Sequence, residues 1–271
     1  MTAANKKIAF LGAGNMAEAI ITGLVHSRLI APENIIASDV KTDRLTYLSS
    51  KFKIKVATDN FSAIKPAGTI FLCVKPQMME ELLCASGLKI SPKQLVISIA
   101  AGITTKYIES YLVKGVPVVR AMPNTPLLSG AGATALCPGK YANKIHVSAA
   151  KKLFSASGIV EETTEAKINA VTALSGSGPA YVFYLAELLK SAGAEMGLAE
   201  DVSDRLARQT VFGAGKMLVE QKAPASLMRK NVTSPGGTTE AALKYLEKNG
   251  FARIFKEAVK KAKKRAGDLS R

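Results

Sequence analysis

The chain has no tryptophan, only 6 % aromatic residues, three cysteines and two histidines in 271 residues. Cys73, Cys84 and Cys137 are odd in number, widely spaced and without a C-x-x-C pair, so neither a disulfide framework nor a thiolate metal site is expected. His26 and His146 fall in different segments without metal-ligand spacing to other candidates, and no metal is expected. No apolar run is long enough to span a bilayer: the longest, residues 180–189, is short and broken by Glu187. The first seven residues carry no signal-like apolar region, and the expected location is the cytoplasm. Acidic residues are scarce beside basic ones, 21 Asp and Glu against 37 Lys and Arg, a formal charge of +16. Much of the excess lies in Arg253, Lys256, Lys260, Lys261, Lys263, Lys264, Arg265 and Arg271, between Ile254, Phe255, Ala258, Val259, Ala262, Ala266 and Leu269 at helical spacing. These cations read as the solvated face of an amphipathic helix. They lack the interleaved aromatics of a stacking platform, so nucleic acid is not an expected partner, and the charge serves solubility and the attraction of anionic ligands.

With 48 % hydrophobic and 21 % charged residues the composition is that of an ordinary globular protein, and the length fits one large or two modest domains. Strand-like runs at 7–11, 34–38, 54–57, 69–74, 95–100, 117–121, 133–136 and 158–160 alternate with helical runs beginning near residues 15, 41, 77, 104 and 141. That alternation predicts a doubly wound α/β domain of Rossmann type over residues 1–162, with its ligand beyond the strand C-termini. From 163 to 271 the β signal vanishes, and helices are expected over 165–174, 179–196, 199–220, 238–248 and 251–269. The run 180–185 is apolar on all sides, which predicts a helix buried around its whole circumference. Gly213-Ala214-Gly215 in mid-helix predicts a close crossing by a neighbouring helix. An all-α domain this apolar suggests an obligate dimer.

Residues 7–11 lead as a buried strand into Gly12-Ala13-Gly14-Asn15-Met16-Ala17, a G-x-G-x-x-A pattern in strand, turn, helix context. Gly12 permits the tight turn, Gly14 lets a pyrophosphate approach the backbone, and Ala17 keeps helix and strand close, so phosphates would rest on the helix N-terminus. The alternative is a glycine turn without a ligand. Asp39 lies 27 residues after Gly12, where an acid typically hydrogen-bonds the ribose 2′-hydroxyl of NAD and repels the 2′-phosphate of NADP. Lys41 and Arg44 follow closely, and either could hold that phosphate if Asp39 turns outward to solvent; dual use of NADPH and NADH is the expectation.

The segment N-V-T-S-P-G-G-T-T-E-A-A-L, residues 231–243, places two glycines and the hydroxyls of Ser234, Thr238 and Thr239 at the start of a predicted helix. Unshielded N–H groups at Gly236 and Gly237, with the positive end of the helix dipole, suit a carboxylate. The alternative is a capped turn with Gly-Gly for tightness.

Together, F-L-G-A-G-N-M-A (10–17), C-V-K-P-Q (73–77), S-I-A-A-G (98–102), A-M-P-N-T-P (121–126), S-G-S-G-P-A-Y-V-F (175–183) and T-S-P-G-G-T-T (233–239) resemble pyrroline-5-carboxylate reductase over nearly the whole chain. The resemblance implies NADPH- or NADH-dependent reduction of 1-pyrroline-5-carboxylate to proline, the last step of proline biosynthesis, by a homodimer with interlocked helices, which can assemble further. It places Leu11 to Met16, Asn60, Cys73, Val74, Lys75, Pro76, Ile99, Ala100 and Ala101 along the cofactor. Lys75 also has a plain surface reading. Gly236 and Gly237 are assigned to the substrate carboxylate, Thr238 to the lining of the same pocket, and Thr239 to the imine nitrogen as the catalytic contact. Ser234 either joins the carboxylate contacts or caps the helix. Asn124 and Thr125 are expected to fix a loop, and Ser175 to Gly178 serve either the pocket or a helix cap. Related β-hydroxyacid dehydrogenases carry a lysine base about one turn beyond a comparable glycine-rich segment. Residues 179–184 contain none, and Lys190, further on, reads as a surface residue; a hydroxyacid dehydrogenase and a non-enzymatic dinucleotide or nucleic-acid binder are the rivals.

Overall fold

The computed structural model describes residues 7–270, so Arg271 of the basic run and the first six residues of the chain lie outside the described residues. The described residues divide into two compact units, 7–177 together with 262–270, and 178–261.

The first unit is an eight-stranded sheet: β1 (Lys7–Leu11), β2 (Ile35–Ser38), β3 (Lys55–Ala57), β4 (Ala67–Leu72), β5 (Leu95–Ser98), β6 (Val118–Met122), β7 (Gly132–Pro138) and β8 (Gly158–Glu162). Their order is β3-β2-β1-β4-β5-β6-β7-β8. Every pairing is parallel except β6 with β7, and β8 returns parallel to β7. Helices fill the crossovers, α1 (Asn15–His26), α2 (Thr42–Phe52), α3 (Asn60–Ile64), α4 (Met79–Ser86), α5 (Thr105–Glu109) and α6 (Lys144–Phe154), and α7 (Glu165–Val171) follows the last strand. The central strands read as continuous apolar runs because both faces are covered. Ile8 and Phe10 of β1 join Phe71 and Phe154 in one core, while Ala9 and Leu11 join Ile70, Leu72 and Val96 in the other. Phe10 stacks on Phe71 at 4.7 Å and Phe71 meets Phe154 edge-on at 5.9 Å.

All eight expected strands are present, with shifted ends. Residue 34 belongs to the short turn Pro32–Asn34, and β4 and β5 stop at Leu72 and Ser98, where the chain leaves the sheet for the loops beyond its C-terminal edge. The helix expected over 165–174 ends at Val171 and widens into a π turn, Thr172–Gly176, closed by Ser177 N–H donating to Thr172 O at 2.8 Å.

The second unit holds α8 (Gly178–Glu195), α9 (Glu200–Glu220), α10 (Ala225–Asn231), α11 (Thr238–Lys248) and the first part of α12 (Phe251–Asp268). Helices α8 and α9 approach closely: a Cβ on Gly193 would lie 2.8 Å from Ser203 Oγ. Two expectations are corrected. Phe183 and Tyr184 of α8 are each 60 % exposed, so this apolar helix is not buried among the described residues. Nothing described lies within 4 Å of a Cβ built on Gly213 or Gly215, so no described element crosses α9 there. Both positions are free for another molecule. Among the described residues no helix is long and apolar enough to cross a membrane.

Candidate active site

Strand order reverses between β1 and β4, and at that switch point the C-terminal strand ends open a crevice. Gly12, the first residue past β1, has φ +100° and donates its N–H to Ser38 O at 2.8 Å. A Cβ there would lie 2.8 Å from the backbone carbon and oxygen of Cys73, so the turn between β2 and β4 admits only glycine. Gly14 is the N-cap of α1, no side chain caps it, and nothing lies within 4 Å of a Cβ built on it. The open amino end at Asn15 and Met16 therefore suits a phosphate group. Next to it a cleft of about 120 Å³ is lined by Gly12, Ser38, Asp39, Val40, Asn60 and Val74 on the strand side and by α4 opposite. Buried Ser38 donates its hydroxyl to Asn60 Oδ1 at 2.8 Å, which turns that amide toward the cleft wall.

Asp39 does not turn outward. Its Oδ2 accepts the N–H of Ala13 at 2.7 Å and its Oδ1 that of Lys41 at 2.8 Å, because two backbone donors outcompete solvent for the carboxylate. Nor is Arg44 free for a phosphate: its Nε donates to Ala13 O at 2.9 Å and its guanidinium pairs with Glu18 at 2.8 Å. Glu18 also accepts from Tyr47 and Lys51. Partial burial alone would raise the Glu18 carboxyl, but the hydrogen bonds from Lys51, Arg44 and Tyr47 outweigh it and hold the group at about 2. Sequence reasoning missed Glu18, whose partners lie 26 to 33 residues away. An acid in the first turn of a helix reads by itself only as a favourable dipole contact.

On the other side of the switch point, Cys73 N–H donates to Leu11 O at 2.8 Å and burial pushes its thiol up. Val74 lines the cleft, exposed Lys75 precedes the turn Pro76–Met78, and Ile99 N–H reaches Leu72 O at 3.2 Å. Ala100 is buried and Ala101 exposed at the end of β5. Asn124 is buried; its amide donates to Ser175 O at 3.1 Å and accepts Ala133 N–H at 2.8 Å, so it ties two loops together. Ser175 returns its hydroxyl to Val171 O at 3.2 Å and so closes its own turn. Arg120 on β6 is fully buried and pairs with Glu165, which also accepts from Thr105 N–H and its hydroxyl. This pair was also unread.

In the second unit, Gly236 has φ +73° and Gly237 is the N-cap of α11 with no side chain capping it, so Ser234 does not cap the helix. Neither glycine amide is unshielded. Gly237 N–H donates to Ser234 O at 3.0 Å, and Gly236 N–H donates to Glu240 Oε2 at 2.9 Å. Glu240 is the third residue of α11, tethered where its carboxylate can reach back one turn, as in a capping box. The Gly236 N–H, followed by the Lys244 ammonium, lowers the Glu240 carboxyl below its ordinary value. A carboxylate thus already sits at the donor expected for one. Thr239 is half-buried in the first turn of α11, with Thr238 and Ser234 exposed beside it.

The family profile described as pyrroline-5-carboxylate reductase dimerisation matches residues 165–269, and one described as NADP oxidoreductase, coenzyme F420-dependent, matches residues 7–102. The chain is 40 % identical over 266 residues to pyrroline-5-carboxylate reductase 1 of Bacillus subtilis (strain 168), covering 98 % of this chain and 90 % of that protein. A solved pyrroline-5-carboxylate reductase from Coxiella burnetii superposes with a TM-score of 0.90 at 38 % identity, covering 98 % of this chain and 99 % of the other. The Plasmodium falciparum pyrroline carboxylate reductase, solved with NADP bound, gives a TM-score of 0.87 at 29 % identity, with 98 % and 99 % covered.

Proposed function

This chain belongs to the pyrroline-5-carboxylate reductase family, and from that premise we propose that it reduces 1-pyrroline-5-carboxylate to L-proline with NADPH or NADH. The observation that carries the proposal is the uncapped glycine turn at the β1/β4 switch point, whose shape fits a dinucleotide: Gly12 admits no Cβ and Gly14 leaves the helix amides open. Bound there, the reduced nicotinamide supplies the hydride for the imine carbon. Asn15 and Met16 hold the pyrophosphate, Asp39 and Asn60 face the adenine-side ribose, and Val74 to Pro76 with Ile99 to Ala101 line the remainder.

On α11, the Thr239 hydroxyl hydrogen-bonds the imine nitrogen, and Thr238 and Ser234 border the same pocket. The substrate carboxylate takes the place of the Glu240 carboxylate on Gly236 N–H, one anion exchanging for another on the same donor. Proton transfer to a C=N nitrogen needs no strong base, in keeping with the absence of lysine from residues 179–184. Lys190 is on the surface and pairs with Glu200 at 2.8 Å, which raises its pKa, so it is no candidate base for a hydroxyacid.

We assign dinucleotide binding to residues 1–162 and substrate binding with dimerisation to residues 163–271. The family profile over 165–269 and the exposed apolar residues of α8 support a homodimer, which is open to assembly into larger oligomers. The enzyme is placed in the cytoplasm. The test is cofactor oxidation with pyrroline-5-carboxylate and, in parallel, a short panel of hydroxyacids. Turnover of hydroxyacids alone would favour the rival dehydrogenase.

A further inference from the structure

At the phosphate-binding turn, Ala13 is the residue held from outside by side chains. Ala13 is gripped on both sides of its backbone, its N–H by Asp39 and its carbonyl by Arg44 Nε. Arg44 cannot leave that carbonyl freely, because its guanidinium is also bound by Glu18 at 2.8 Å and lies 5.0 Å over the Tyr47 ring. The same carboxylate takes the Lys51 ammonium at 2.8 Å and the Tyr47 hydroxyl at 2.9 Å. Glu18 therefore collects two cations of α2, and its side chain is only 13 % exposed. Asp39 remains in the cleft wall, its carboxyl on the Ala13 and Lys41 amides. Close to it, Lys41 is an exposed cation outside this cluster.

The two cofactors differ by one phosphate on the adenine-side ribose. A hydroxyl there is satisfied by the Asp39 carboxylate, whereas a phosphate meets that negative charge and gains from each nearby cation that offsets it, most from a guanidinium, which binds it bidentately. We infer that Glu18 is a positioning residue for cofactor choice: by parking Arg44 on Ala13 O it withholds the guanidinium from a 2′-phosphate and tilts the enzyme toward NADH. The inference rests on the cofactor assignment above but not on the identity of the imine substrate. A carboxylate in the first turn of α1 also repels the pyrophosphate, but that repulsion is common to both cofactors and cancels in their ratio.

The experiment is calorimetric titration of NADP⁺ and NAD⁺ into the full chain, without substrate, for the wild type, Glu18→Ala, Glu18→Gln, Arg44→Ala and the Glu18→Ala/Arg44→Ala double variant. Release of Arg44 in Glu18→Ala should lower the ratio Kd(NADP⁺)/Kd(NAD⁺) about fivefold or more, as one new charge-assisted contact would. Glu18→Gln keeps the side-chain shape and should shift the ratio the same way by less. The double variant should match Arg44→Ala alone, because the released group is then missing. An unchanged ratio in both Glu18 variants, a shift toward NAD⁺, or a shift that persists undiminished without Arg44 would each overturn the inference. Binding is read directly, so a failure of the imine assay leaves this test intact.

Discussion

Thr239 stands alone among the residues of α11 in being assigned to the reacting bond, and its replacement by alanine removes one hydrogen bond and little volume. Turnover should fall by the equivalent of about 0.5–1.5 kcal/mol if the nitrogen is neutral, and about 1.5–3 kcal/mol if it is an iminium, with dinucleotide affinity nearly unchanged. Full activity in Thr239→Ala, measured under saturating cofactor, would remove it from the mechanism. Asp39 acts on the other substrate. Replacing it by serine removes the anion that a 2′-phosphate meets, so kcat/KM for NADPH should rise relative to NADH; a ratio equal to the wild type would show that the loop does not read the ribose. Glu18 carries a pH signature as well. Its carboxyl is lowered from 4.5 to about 2 in the folded chain, so its contribution to stability is full above the unfolded value and is lost as pH falls toward about 2. Urea melts of Glu18→Gln should lack that part of the acid dependence between about 4.5 and about 2, whereas parallel wild-type and variant curves would mean the cluster contributes nothing. Asp39 was legible in the sequence because strand-to-acid spacing is fixed by the βαβ unit. Glu18 with Arg44, and Arg120 with Glu165, were not, since their partners are brought together only by the sheet.

At the scale of elements, the turn after β1 is the part with least latitude. An alanine at Gly12 must adopt φ +100° and place its Cβ 2.8 Å from the backbone of Cys73, which cannot move without breaking the β1–β4 pairing. Strain of this kind costs about 1–3 kcal/mol, so Gly12→Ala should melt lower and bind dinucleotide weakly, and unaltered melting and affinity would contradict the described turn. Helix α11 could be read to the residue because Gly236-Gly237 before it and Gly250 after it punctuate the pattern. Helices α3 and α10, of five and seven residues, are too short for a 3.6-residue period to declare itself. The amides of Gly236 and Gly237 were legible as donors, but not their occupants, because Glu240 reads equally well as an ordinary first-turn acid. Helix α8 exposes the limit of hydrophobic patterning. A helix apolar on all sides says that something covers it, and the same residues serve whether the cover is its own chain or another.

For the whole molecule, that cover is expected to be a second copy. Phe183 and Tyr184 of α8 and Phe212 of α9 are each at least 60 % exposed in the single chain, with Phe183 and Phe212 lining one cleft, and neighbouring apolar side chains left to water mark an interaction surface. Sedimentation should give a dimer or a multiple of it, and Phe183→Asp should shift the population toward monomer; a wild-type monomer would remove the dimer from the account. The central claim concerns chemistry, and the most direct measurement is oxidation of NADPH and of NADH by the folded protein with pyrroline-5-carboxylate, proline being identified as the product. The account predicts turnover with the imine and none with hydroxyacids under the same conditions. Folded protein that binds dinucleotide but leaves both cofactors unoxidised in the presence of the imine would contradict it.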